Sequence, residues 1–180
     1  GVYAGTGGII ASTGNTRART TLPGADAVRA EGAGSVVTLG TATPAAAGGY
    51  ALEATDTTST NAGNAAHGMH ALTSGRITST GDVYAIAASP TSVYSAAVFS
   101  EGDGRIQLGG NLYAGDAARR TATGVRAGAG TTTGTVDITG SINVAATQTG
   151  LSSYNAGSRI TGASALVTTS TDSAAALLAD

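Results

Sequence analysis

The side chains able to do chemistry are few in this chain of 180 residues. It has two histidines, His67 and His70, and no cysteine. Two imidazoles can hold a metal ion, and Asp56 lies upstream. Their spacing argues against it. Side chains alternate along a strand, so residues three apart point to opposite faces. His67 reads as a loop residue and His70 as an outward strand residue. No metal and no cofactor is expected, and a chelator should leave stability unchanged. Glu101 and Asp103 stand beside Arg105, and paired carboxylates can work as acid and base. Glu31, however, occupies the same place before a glycine as Glu101 does, which reads as a recurring polar corner. Gly5-Thr6-Gly7-Gly8 opens no helix, so it is no phosphate loop. Gly109-Gly110-Asn111 continues with Leu112, which departs from the calcium-binding nonapeptide. The threonines form no aligned columns of the kind that bind ice. Arg119 and Arg120, with Arg126, are the one basic cluster. No catalytic residue is expected.

What must position these residues is a repeat. Seven copies align on Val2, Val28, Leu52, Met69, Val98, Val125 and Leu151. The preceding residue is always Gly or Ala, and the residue two later is always Ala or Ser. The slot between holds Tyr3, Arg29, Glu53, His70, Phe99, Arg126 and Ser152. Alternation makes the anchor and the small residue face inward, and this slot face solvent. Six after the anchor, five copies carry Gly: Gly8, Gly34, Gly75, Gly104 and Gly157. A second apolar segment follows at Ile10, Val36, Ile77 and Ile106, with Val136 and Ile160 in the last two copies. Anchor spacings of 26, 24, 17, 29, 27 and 26 residues mark a stacked array. One copy cannot cover its own apolar face, and stacked copies can. The expected fold is all-β, a right-handed parallel β-helix (β-solenoid) of about seven coils. Residues 1–180 read as one domain, a fragment of a longer protein, since the chain opens inside a repeat with neither initiator Met nor signal peptide.

Composition agrees with a thin stack. Charged residues are 11% and aromatics 4%, with 28 glycines. All nine positive charges are Arg, and the net charge is −2, which gives no electrostatic case for nucleic acid or an anionic membrane. No apolar run is long enough for a membrane-spanning helix. Thr13 to Asp26 and Thr41 to Gly49 read as loops between copies, and Asp56 to Asn64 as a degenerate stretch. Asp82 to Ala87 alternates like a further strand, ended by Pro90. Ala117 to Thr123 reads as a basic loop, and Ser173 to Asp180 as another anchor or an end cap.

Gly-Val-Tyr-Ala at residue 1, Ala-Val-Arg-Ala-Glu-Gly-Ala-Gly-Ser from Ala27 and Gly-Val-Arg-Ala-Gly-Ala-Gly from Gly124, each followed by a Thr-rich segment, resemble autotransporter passenger domains of the pertactin-like group, from Gram-negative type V secretion. The resemblance covers nearly the whole chain and is one of repeat style. It implies a parallel β-helix exported across the outer membrane and displayed at the cell surface, where relatives act as adhesins or self-associating factors. No triad of the protease-type passengers is present. The expected function is therefore adhesion or self-association, as in aggregation and biofilm, and the protein is not expected to be an enzyme. Partners would be host-cell or matrix glycans and proteins, or the same protein on a neighbouring cell. The alternatives are a polysaccharide-acting enzyme on the same fold and a passive structural stalk. The expected contact residues are Tyr3, Arg29, Phe99, Arg119, Arg120 and Arg126, with Tyr3 and Phe99 as exposed aromatic anchors.

Overall fold

A computed structural model describes residues 1–47, 49–55, 65–89, 94–170 and 177–179. These form eighteen strands, numbered in chain order, which fall into three rows. The first row holds β1 (Val2–Ala4), β4 (Val28–Glu31), β7 (His67–Leu72), β10 (Ala96–Ser100), β13 (Thr121–Ala127), the end of β15 (Ser141–Ser153) and β18 (Leu177–Ala179). The second holds β2 (Ile9–Ala11), β5 (Val36–Leu39), β8 (Arg76–Ser79), β11 (Gly104–Leu108), β14 (Gly134–Ile138) and β16 (Arg159–Thr161). The third holds β3 (Ala18–Thr20), β6 (Leu52–Thr55), β9 (Val83–Ala88), β12 (Leu112–Ala114), the start of β15 and β17 (Ser164–Thr169). Every pairing between these strands is parallel.

The first and third rows are one sheet, and this overturns the expected β-helix of about seven coils. Their strands run in the order β1-β4-β7-β10-β13-β15-β12-β9-β6-β3. That path of ten parallel strands makes a nearly closed barrel, with the six strands of the second row as a second sheet. The join is β15. Its Ser141–Ala146 segment pairs β12 and β17, and its residues from Ala146 to Ser153 pair β13. Between the two segments the chain has no proline, and its first glycine is Gly150. The strand bulges there by one residue, with Ala146 opposite Thr121 and Thr149 opposite Thr123, and runs on without a break.

The repeat register survives with two changes. Val2, Val28, Met69, Val98, Val125, Leu151 and Leu177 are successive cross-strand partners. Leu52 is not among them: it pairs with Ala18 and Ala85 in the third row. Its sequence context mimics the anchor because both rows need an inward aliphatic residue followed two later by Ala. In the second row the aligned residues are Ile10, Val37, Ile77, Ile106, Val136 and Ile160, so Val37 replaces Val36. Two of the expected loops contain strand: Thr13 to Asp26 includes β3, and β13 begins at Thr121. The stretch Asp56 to Asn64, Pro90, and residues 173–176 and 180 lie outside the described residues.

The interior is filled by fully buried Val28, Met69, Val98 and Val125 from the first row, Val37, Ile77, Ile106 and Val136 from the second, and Leu52, Val83 and Leu112 from the third. Glycine is needed where rows turn, because backbones come close. A Cβ on Gly75 would lie 2.2 Å from the carbonyl oxygen of Ala30, and one on Gly104 2.2 Å from that of Ala71. The small residue before each anchor has a similar cause. A Cβ on Gly68 would meet the Ala85 side chain at 3.1 Å, and one on Gly124 would meet Val144 at 2.4 Å. Ala27 and Ala97, in the same slot, belong to the core. At Ala27-Val28, Gly68-Met69, Ala97-Val98 and Gly124-Val125 two consecutive residues thus face inward, and the first of them must be small.

Candidate functional site

That inward pair decides where the histidines go. Gly68 and Met69 both face the interior, so alternation skips a beat and His67 joins His70 on the outer face. Their ring centroids are 4.4 Å apart. The reading of His67 as a loop residue is corrected: it opens β7. Asp26 occupies the same slot on the neighbouring strand position, two before Val28 as His67 is two before Met69, and Ala27 N–H donates to the His67 carbonyl at 2.9 Å. Cross-strand register then stacks Arg29, His70, Phe99 and Arg126 in one outward column.

The cluster is closely bonded. Asp26 Oδ1 lies 2.7 Å from His67 Nδ1 and also accepts from the His67 backbone N–H at 3.1 Å. Asp26 Oδ2 lies 3.0 Å from His70 Nδ1. His70 Nε2 faces Glu101 Oε1 at 3.1 Å. Arg29 bridges Asp26 and Glu31, at 3.3 and 2.9 Å, and Tyr3 Oη donates to Glu31. His70 stacks on Phe99, with centroids 4.9 Å apart and planes 11° apart. Arg126 lies 5.3 Å from the Phe99 centroid, 5.8 Å from Tyr94 and 4.8 Å from Tyr154. Of these groups, Asp26, Arg29, His67, His70, Tyr94, Phe99, Glu101 and Arg126 line a cleft of about 390 Å³.

The electrostatics separate the two imidazoles. Burial raises the Asp26 carboxyl, but hydrogen bonds from His67 and His70 prevail and hold it below the usual carboxylate range. Burial and the neighbouring His70 push His67 below its ordinary value, against the pull of Asp26. Burial also opposes charge on His70, yet its bonds to Asp26 and Glu101 outweigh it and raise the group. The bond to His70 holds Glu101 below its ordinary value despite burial. The two imidazoles are thus pushed in opposite directions although they share Asp26, because only His70 has a second carboxylate against it. The second ring nitrogen of His67, Nε2, is buried and has no hydrogen-bond partner among the described residues.

No protein-family model matches the chain, and no curated protein or solved structure matches it. The site is accordingly read from its own geometry. The structure gathers three of the six expected contact residues, Arg29, Phe99 and Arg126, on the cleft. Phe99 is not the exposed anchor that alternation suggests: only 6% of it is accessible, because His67, His70 and Arg126 cover it. Tyr3 is 58% exposed, at the edge of the Asp26 and Arg29 surface. Arg119 and Arg120 lie elsewhere. Arg119 pairs with Glu53 at 2.6 Å and covers the Tyr50 ring, while Arg120 reaches the carbonyls of Ala146 and Thr168. Asp103 and Arg105 turn away from Glu101, the first to Thr133 and the second to Asp137. Asp56 lies outside the described residues. Asp26 and Tyr94 carry no motif of their own. The signal for Asp26 is its slot, shared with His67, once the residue before each anchor is understood to face inward.

Proposed function

We propose that the chain is an adhesive surface protein whose outer first-row face binds saccharide. The observation that carries this is the cleft itself. It combines an exposed aromatic ring, Tyr94, with fixed charged and hydrogen-bonding groups, Arg29, Arg126 and Glu101, seated on the buried Phe99. Recognition sites of small ligands likewise set a few polar groups at fixed positions beside apolar surface. Tyr and Arg are also the residues that anchor interfaces. Each cleft would bind weakly, and many copies on one surface would bind firmly by multivalency. Display at a bacterial cell surface is the setting that the repeat style implies, and that resemblance now rests on the repeat residues alone. One observation favours the rival reading, a polysaccharide-acting enzyme. Asp26 holds His67 Nδ1 at 2.7 Å as a carboxylate orients a general base, and His67 Nε2 has no partner among the described residues.

A glycan array probed with purified protein, followed by titration of its best ligand, tests the proposal. Binding should fall at least about tenfold in Arg126→Ala, a loss of about 1.4 kcal/mol, and cells displaying the chain should clump or adhere in proportion. Failure to bind any glycan while shortening a polysaccharide would establish the enzyme instead. Clumping of cells without glycan binding would make the partner a second copy of the chain.

A further inference from the structure

We infer that Asp26, His67 and His70 form a binding site for a single divalent transition-metal ion of the zinc type. One donor atom from each lies within 4.8 Å of the other two. Imidazole nitrogens and a carboxylate oxygen are the donors that zinc takes in open sites, with three protein ligands and a fourth position left for water or ligand. Bonds of about 2.0 Å around a tetrahedral zinc place its donors about 3.3 Å apart. His67 Nδ1 lies 2.7 Å from Asp26 Oδ1 and His70 Nδ1 3.0 Å from Asp26 Oδ2, so both rings present Nδ1 to the one carboxylate that completes the donor set. The objection raised by the three-residue spacing is removed by the consecutive inward residues Gly68 and Met69.

His67 and His70 are only 4% and 5% accessible, so both rings are held in place by the packing around them. The surround is already built as an outer shell. His70 turns its other nitrogen to Glu101 at 3.1 Å, the carboxylate–histidine relation that orients metal ligands. The open coordination position would face the cleft, beside Arg126 and Tyr94.

The test uses the full chain without a histidine tag, stripped with a chelator and titrated with zinc or cobalt(II) near neutral pH. One equivalent should bind, the melting temperature should rise, and cobalt should give the visible absorption of a low-coordinate site. His67 and His70 are the only imidazoles, so both side-chain nitrogen spectra must shift together on adding zinc. Glu101→Gln should weaken binding about 10–100-fold, and Asp26→Asn should weaken it further. Should Asp26→Asn fail to fold, the wild-type imidazole shifts decide alone. Binding of less than one equivalent, a shift of one imidazole only, or affinity unchanged in Glu101→Gln overturns the inference. None of these readouts depends on saccharide binding, so this site and the adhesive reading stand or fall separately.

Discussion

Gly68→Ala tests the step on which the fold and the site both depend, the inward turn that precedes Met69. The added Cβ would lie 2.6 Å from the carbonyl oxygen of Ala97 and 3.1 Å from the Cβ of Ala85. Close carbon–oxygen contacts are about 3.3 Å or longer, so strand β10 or the third row must yield by more than half an ångström. Overpacking of this kind costs about 1–3 kcal/mol. Removing a glycine from the unfolded chain returns about 0.4–1 kcal/mol, which leaves a net loss of about 1–2 kcal/mol. Gly14→Ala is the control: its Cβ would meet nothing within 4 Å, and its φ is not positive. It should be neutral or stabilising by up to about 1 kcal/mol. Urea denaturation of both variants gives the comparison, with the midpoint shift read at constant m-value. Equal stability of the two would show that Gly68 does not face the interior, and with it the placement of both histidines on one face would fail.

Three further outcomes follow from the same geometry. Val125 is fully buried, so Val125→Asp should cost about 3–5 kcal/mol as an unpaired buried charge; a thermal shift no larger than that of a surface variant would place it outside the core. Arg126→Ala should cost about 1–2 kcal/mol, more than the half kcal/mol of an ordinary surface change, because three rings flank the guanidinium; denaturation of Arg126→Lys should show partial recovery. Asp137 accepts from Thr161 and Arg159, and although burial opposes its charge these bonds hold its carboxyl below the usual range. A lowered carboxyl stabilises the fold above its unfolded pKa and loses that contribution as pH falls through the folded value. Asp137→Asn should therefore be about 1 kcal/mol less stable at neutral pH and approach the parent in acid, and a gap that widens in acid would contradict this.

Sequence by itself determined the inward columns. Val28, Met69, Val98 and Val125 pair as their repeat positions require, because a one-residue slip would send every apolar side chain to solvent. The glycine and alanine slots were legible too, since a close backbone approach excludes larger residues wherever it occurs. Two matters were decided only in three dimensions. Leu52 has the anchor's flanking residues yet lies in the third row, because local pattern records burial and not which strand lies alongside. Likewise β15 joins two rows through pairing partners more than twenty residues away in sequence. The site shows the same division. Arg29, Phe99 and Arg126 were visible as one slot of the repeat, whereas Asp26, His67 and His70 converge through a break in alternation at Gly68. Strand periodicity taken alone places those two histidines on opposite faces, and the packing of Gly68 against Ala85 places them together.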